Sequence, residues 1–111
     1  MLKLLIAGSR KINYFDFSKY IPNDITTIIS GGAKGIDSLA EDYADAHRLS
    51  KIIIRPEYNK YGKAAPLKRN ELLVQIADKI LIVWDGLSKG TKYTIDYANK
   101  LNKDMKIIIV K

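Results

Sequence analysis

Eight residues, Ser30-Gly31-Gly32-Ala33-Lys34-Gly35-Ile36-Asp37, hold the densest chemistry in the chain. They follow an apolar run, Ile25 to Ile29, and precede an apolar spacing of helical period, so they read as a strand end, a glycine turn and a helix start. Three glycines within five residues remove the Cβ atoms that would keep a ligand off the backbone, and they permit φ > 0 at a sharp turn. The amides of such a turn, with the first unpaired amides of a helix, suit a phosphate or carboxylate. Lys34 adds a full positive charge beside them. Asp37 caps the helix, organises the loop or hydrogen-bonds a ribose. The spacing is neither G-x-G-x-x-G nor G-x-x-x-x-G-K-[ST], and Gly-Gly also serves ordinary connections. Taken by itself, the stretch is either a phosphate cradle or a plain turn.

Other segments carry related chemistry. Gly8-Ser9-Arg10 offers a hydroxyl and a guanidinium at the end of an apolar run, and Arg10 either forks onto phosphate or is a solvated loop residue. Gly86-Leu87-Ser88-Lys89-Gly90-Thr91 gives amides and a hydroxyl at another helix start. Arg69 and Asn70 fall early on a helix opened by Pro66 and are candidate ligand contacts. Just before Pro66 lies an irregular stretch, Pro56 to Ala65, with Tyr58, Tyr61 and Lys63. Its tyrosines and lysines either stack a base and hold a phosphate or close the edge of the core. His47, the only histidine, falls near a helix end and is given no chemical role. The absence of cysteine excludes disulfides, thiolate chemistry and thiolate metal sites, and no metal site is expected.

The elements that must position these residues follow from periodicity. Strand runs cover Leu2–Ala7, Ile25–Ser30, Lys51–Arg55, Lys79–Trp84 and Lys106–Val110. Helical faces are Ile36, Leu39, Ala40, Tyr43 and Ala44; then Leu72, Leu73, Ile76 and Ala77; then Thr94, Tyr97, Ala98 and Leu101. A short helix is expected over Tyr14–Tyr20, and a turn at Pro22-Asn23-Asp24. Alternating strands and helices mean βαβ units. The expected fold is α/β: a single Rossmann-like, doubly wound parallel sheet of about five strands with helices on both faces, one domain over residues 1–111. Ligands of such sheets bind beyond the carboxyl ends of the strands, where strand order switches. The turns after strands one, two and four all leave carboxyl ends, which points to a nucleotide-type ligand.

At 111 residues and 47 % apolar content, the composition is that of a globular domain with one core. No apolar run approaches the ~18 residues of a membrane span. Met1 leads directly into a strand-like run, and a cytoplasmic protein is expected. The net charge of +7 favours anionic partners, nucleic acid among them, although the basic residues form no block.

Gly8-Ser9-Arg10, Gly31 to Asp37, Tyr61-Gly62-Lys63-Ala64-Ala65, Arg69-Asn70 and Ser88-Lys89-Gly90-Thr91 together resemble the YspA-like branch of the SLOG superfamily in order and spacing. The resemblance spans nearly the whole chain. It implies a Rossmann-like fold that binds nucleotides or NAD- and ADP-ribose-derived ligands, and it implies homo-oligomers. In the related Lonely Guy phosphoribohydrolases a P-G-G-x-G-T-x-x-E motif supplies a carboxylate for N-glycosidic cleavage, assisted by a helical arginine. Gly90-Thr91 matches the Gly-Thr and Arg69 resembles the arginine, but Gly86-Leu87-Ser88 replaces Pro-Gly-Gly, and Tyr93 or Thr94 falls at the acidic position. What is implied is therefore non-catalytic binding, for sensing or sequestration, as in evasion of nucleotide-signalled immunity. No catalytic residue and no further cofactor is expected. Phosphates would lie on the glycine-turn amides, Arg10, Lys34 and Thr91, with ribose or base on Arg69, Asn70 and the tyrosine loop. Two alternatives remain: a phosphoribohydrolase using Asp85 or Asp96, and single-stranded DNA binding like that of DprA.

Overall fold

The computed structural model describes residues 2–111. Five strands, β1 (Leu2–Gly8), β2 (Ile25–Ser30), β3 (Ser50–Ile53), β4 (Lys79–Trp84) and β5 (Asp104–Ile109), form one sheet in the order β3-β2-β1-β4-β5. Every neighbouring pair is parallel. The helices are α1 (Ile36–Ala46), a single turn α2 (Tyr58–Tyr61), α3 (Ala65–Ile76) and α4 (Lys89–Lys100). Among the described residues, no helix is long and apolar enough to cross a membrane.

The near-continuous apolar runs form strands because both faces of this sheet are covered, so neighbouring residues on a strand enter different cores. Leu4, Ile6, Ile28, Leu81 and Val83 pack with Ile36, Ala40 and Ala44 of α1. Leu5, Ile29, Ile80 and Ile82 pack with Leu73 and Val74 of α3 and with Ile95 and Ala98 of α4. The sheet is thus sandwiched, α1 on one side and α3 with α4 on the other. Helix faces differ in detail from those expected. Leu72 and Leu101 are exposed, while Val74 and Ile95 are buried in their place.

Two segments depart from expectation. Tyr14–Tyr20 is not a helix; the link from β1 to β2 crosses over without one. There the Ser18 amide donates to Asp16 Oδ1 at 2.9 Å, a local side-chain bond that competes with helix formation. Phe17 is buried and packs edge-on against Tyr43 of α1, with Phe15 against Phe17 and Tyr20 in turn. These aromatics plug the end of the core rather than line a helix. Pro56–Ala65, expected to be irregular, holds α2 and a 3-10 turn over Gly62–Ala64 that runs into α3. Strand ends also move: β1 extends to Gly8, β3 spans Ser50–Ile53 and β5 spans Asp104–Ile109.

Candidate functional site

Strand order reverses between β1 and β4, and α1 and α4 begin just beyond their carboxyl ends. This is where open α/β sheets take ligands. The junction is closed by Ser9, which is fully buried. Its amide donates to Val83 O at 3.1 Å, and its carbonyl accepts the Ile36 amide at 3.3 Å. Its hydroxyl accepts the Asp85 amide at 2.9 Å and the Ser88 hydroxyl at 3.2 Å. Gly8 is compelled by the same packing, since a Cβ there would lie 2.0 Å from Val83 O. Asp85 shapes the next turn. Its Oδ1 accepts the amides of Leu87 at 2.8 Å and Ser88 at 2.9 Å, which hold its pKa down at about 2.

The glycine turn uses its glycines differently from a phosphate loop. A Cβ on Gly31 would meet the Arg69 guanidinium at 2.9 Å and Asp37 Oδ2 at 3.0 Å. One on Gly32 would meet Arg55, whose Nη1 donates to Gly32 O at 3.0 Å. Gly35, at φ 73°, would meet Ser9 O at 2.4 Å. The missing side chains therefore make room for the protein's own arginines and backbone. Several amides expected to face a ligand are likewise engaged: Gly32 N–H donates to Ser30 Oγ at 3.1 Å, Ala33 N–H to Asp37 Oδ2 at 3.1 Å, and Ile36 N–H to Ser9 O. Asp37 is not a cap, because α1 has no side-chain cap; it organises the loop.

Above this turn lies a cleft of about 330 Å³. β1 and its following turn give Gly8, Arg10 and Lys11; the glycine turn and α1 give Ala33 and Asp37. α3 gives Arg69 and Asn70, and α4 with its approach gives Ser88, Gly90, Thr91 and Thr94. A second cleft of about 230 Å³ shares Arg10, Ala33 and Arg69 with the first and adds Gly31, Gly32, Lys34, Pro56 and Tyr58. The sheet edge thus gathers nearly all of the expected ligand residues into two adjoining spaces. Ser9, Lys89, Tyr61 and Lys63 line neither. Tyr58 and Tyr61 are exposed rather than closing the core, and Lys60 covers the Tyr61 ring at 5.2 Å.

Arg69 is the central side chain. It is 6 % exposed, its Nη1 donates to Gly31 O, and its Nε donates to Asn70 Oδ1 at 2.8 Å. Among the described residues no buried side-chain nitrogen lacks a partner, so the unbonded Nη2 keeps some solvent exposure, and Arg69 lines both clefts. Burial lowers the pKa of Arg69, and the Asp37 carboxylate opposes that shift. Burial raises the pKa of Asp37, against the Ala33 amide and the Arg69 charge. The guanidinium stays charged because its ordinary value is so high.

Sequence reasoning missed several lining residues, Lys11, Leu67 and Thr94 among them. Lys11 stands beside Arg10 and Thr94 a turn beyond Thr91, so adjacency to the motifs was the available signal. It also missed Arg55, whose partner Gly32 is distant in sequence.

The two carboxylates that would replace the missing glutamate are engaged elsewhere. Asp96 pairs with Lys92 on the exposed side of α4 at 2.8 Å, and Asp85 holds its own turn. Neither lines a cleft, whereas Asp37 does. Arranged in this way, the cleft can hold an anion against Arg69, Arg10 and Lys11 while offering it one buried carboxylate. In comparisons with known proteins, the chain matches no protein-family model, no curated protein and no solved structure.

Proposed function

We propose that the chain is a SLOG-like domain that binds a small phosphorylated, nucleotide-type ligand at the β1–β4 switch point without transforming it, in sensing or in sequestration. The observation that carries this reading is the Arg69 guanidinium, buried, clamped on two nitrogens with Nη2 unbonded, and lining a cleft that Arg10 and Lys11 also line. A preorganised arginine fork suits phosphate, because little side-chain freedom is lost when it engages. Mass spectrometry of small molecules released from the purified, denatured protein, with a thermal-shift panel of nucleotides, tests the reading. An intact nucleotide or a concentration-dependent stabilisation is the expected result; no ligand and no shift across the panel overturns it. Arg10 is exposed, so Arg10→Ala is expected to weaken nucleotide binding about 10- to 100-fold while leaving unliganded Tm unchanged.

A hydrolytic reading has one supporting observation. An oxocarbenium-like transition state needs a carboxylate near the anomeric carbon, and Asp37 supplies one to the cleft. Release of free base from AMP, NAD or ADP-ribose by the wild-type protein, lost in Asp37→Asn, would replace binding by catalysis. Self-association belongs to the same SLOG-like reading. It is supported by Ile107 and Ile109, both exposed on the edge strand β5, and light scattering of the purified chain tests it.

A further inference from the structure

Beside the cations, the cleft holds polar atoms that a phosphate does not need. Asp37 is 7 % exposed, and its Oδ2 is occupied by the Ala33 amide. Its Oδ1 has no partner among the described residues, where no buried side-chain oxygen is left unsatisfied. It therefore opens onto the cleft that Asp37 lines. Asn70 is oriented by Arg69: the guanidinium can only donate, so the atom 2.8 Å from Nε is the amide oxygen. That leaves Nδ2 as the group Asn70 offers to the same cleft.

An acceptor bearing negative charge and a fixed donor thus stand beside the free edge of Arg69. Phosphate oxygens are repelled by a carboxylate, so Asp37 would weaken a site evolved for free phosphate alone. A hydroxyl fits both groups, since it donates to the carboxylate and accepts from the amide. Two adjacent hydroxyls use them fully. We propose that Asp37 Oδ1 and Asn70 Nδ2 recognise the vicinal hydroxyls of a ribose, making the cleft selective for ribonucleotides over 2′-deoxyribonucleotides. This rests on the phosphoryl-binding reading and adds the sugar to it. Arg69 joins the two halves of the ligand, with Nε fixing Asn70 and Nη2 free for the phosphate. Burial of Asp37 sharpens the discrimination, because a buried carboxylate deprived of its hydroxyl donor has little water to replace it.

The test is calorimetric titration of the full chain near neutral pH with AMP, 2′-deoxy-AMP and inorganic phosphate, repeated with ribo- and deoxyribonucleotide pairs of the other bases. The wild-type protein is expected to bind the ribonucleotide of at least one pair about tenfold or more tightly than its deoxy partner. Asp37→Asn retains an oxygen for the Ala33 amide but loses the charged acceptor. It is expected to bring that ratio close to one while holding or raising affinity for inorganic phosphate. Equal wild-type affinity for the two sugars in every pair overturns the proposal and leaves the phosphoryl site standing. So does a parallel loss of ribonucleotide, deoxyribonucleotide and phosphate binding in folded Asp37→Asn, since that is the behaviour of a loop organiser. If neither nucleotides nor phosphate bind the wild-type chain, this proposal and the phosphoryl reading both fail. The wild-type arm needs no variant to fold, so it decides the question by itself.

Discussion

Asp85 and Asp37 show two ways in which a carboxylate can serve one sheet edge. Asp85 accepts two backbone amides and its folded pKa lies at about 2, below the ordinary 3.8. A group with a lowered folded pKa contributes stability above its unfolded value and loses it as pH falls. The Asp85 contribution is thus complete above about pH 4 and lost on acidification toward about pH 2. Asp85→Asn should be less stable than wild type at neutral pH, with the gap closing in that acid window, as urea unfolding across pH would measure. Asp37 has the opposite sign. Burial raises its folded pKa above 3.8, so its contribution is greatest below that value and declines as pH rises. Asp37→Asn should remove that decline, and its stability relative to wild type should improve from acid toward neutral pH. A ribonucleotide that donates to Oδ1 would oppose this improvement in the liganded wild type, so the two titrations should diverge when ligand is present.

The elements of the fold divide the glycines by function. Gly8 ends β1 against β4, and its added Cβ would fall 2.0 Å from Val83 O. Gly8→Ala should therefore force the two central strands apart and cost at least about 3 kcal/mol, read as a lower urea midpoint. Gly90 is the contrasting case. It lies in the first turn of α4, and a Cβ there meets nothing within 4 Å. Gly90→Ala should stabilise the free protein by about 0.4–1 kcal/mol by reducing the freedom of the unfolded chain. Gly90 also lines the cleft, so weaker nucleotide binding in that variant would locate the phosphate at the start of α4, while unchanged affinity would locate it toward Arg10. How far this architecture could be read beforehand differs from element to element. β2 and β4 stand at the expected residues because each is rich in β-branched or apolar residues and bounded by turn-forming ones. Tyr14–Tyr20 reads as a short helix, yet its aromatics fill the end of a core whose other wall, Tyr43, is distant in the chain. The Gly31-Gly32 pair does line a cleft, but the packing that requires glycine there is not the one expected. That Arg69 and Arg55 occupy the space beside these glycines depends on contacts 38 and 23 residues away, which local spacing does not encode.

At the scale of the molecule, the +7 charge is broad while the cations facing the clefts are few. Nucleotide association should slow as salt is raised, because the screening length falls to about 10 Å at 0.1 M. Long-range attraction should fade before any short-range contact a ligand makes with Arg69. Single-stranded DNA should bind weakly and without a steep salt slope, since lysines scattered over a surface neutralise few contiguous phosphates. A slope equivalent to several released counterions would move the assignment to nucleic acid. The buried seam at Ser9 has a further consequence for the life of the chain. Ser9 meets Asp85 across 76 positions of sequence and Ser88 across 79, and the cleft takes its opposite wall from α4. A chain emerging from the ribosome therefore presents Arg10, the glycine turn and even Arg69 before the α4 wall of this cleft exists. The cleft is complete only when β4 has seated beside β1 and α4 has followed it out. A nascent or truncated chain ending before α4 lacks that wall, so a ligand that depends on it would go unrecognised until synthesis has passed α4.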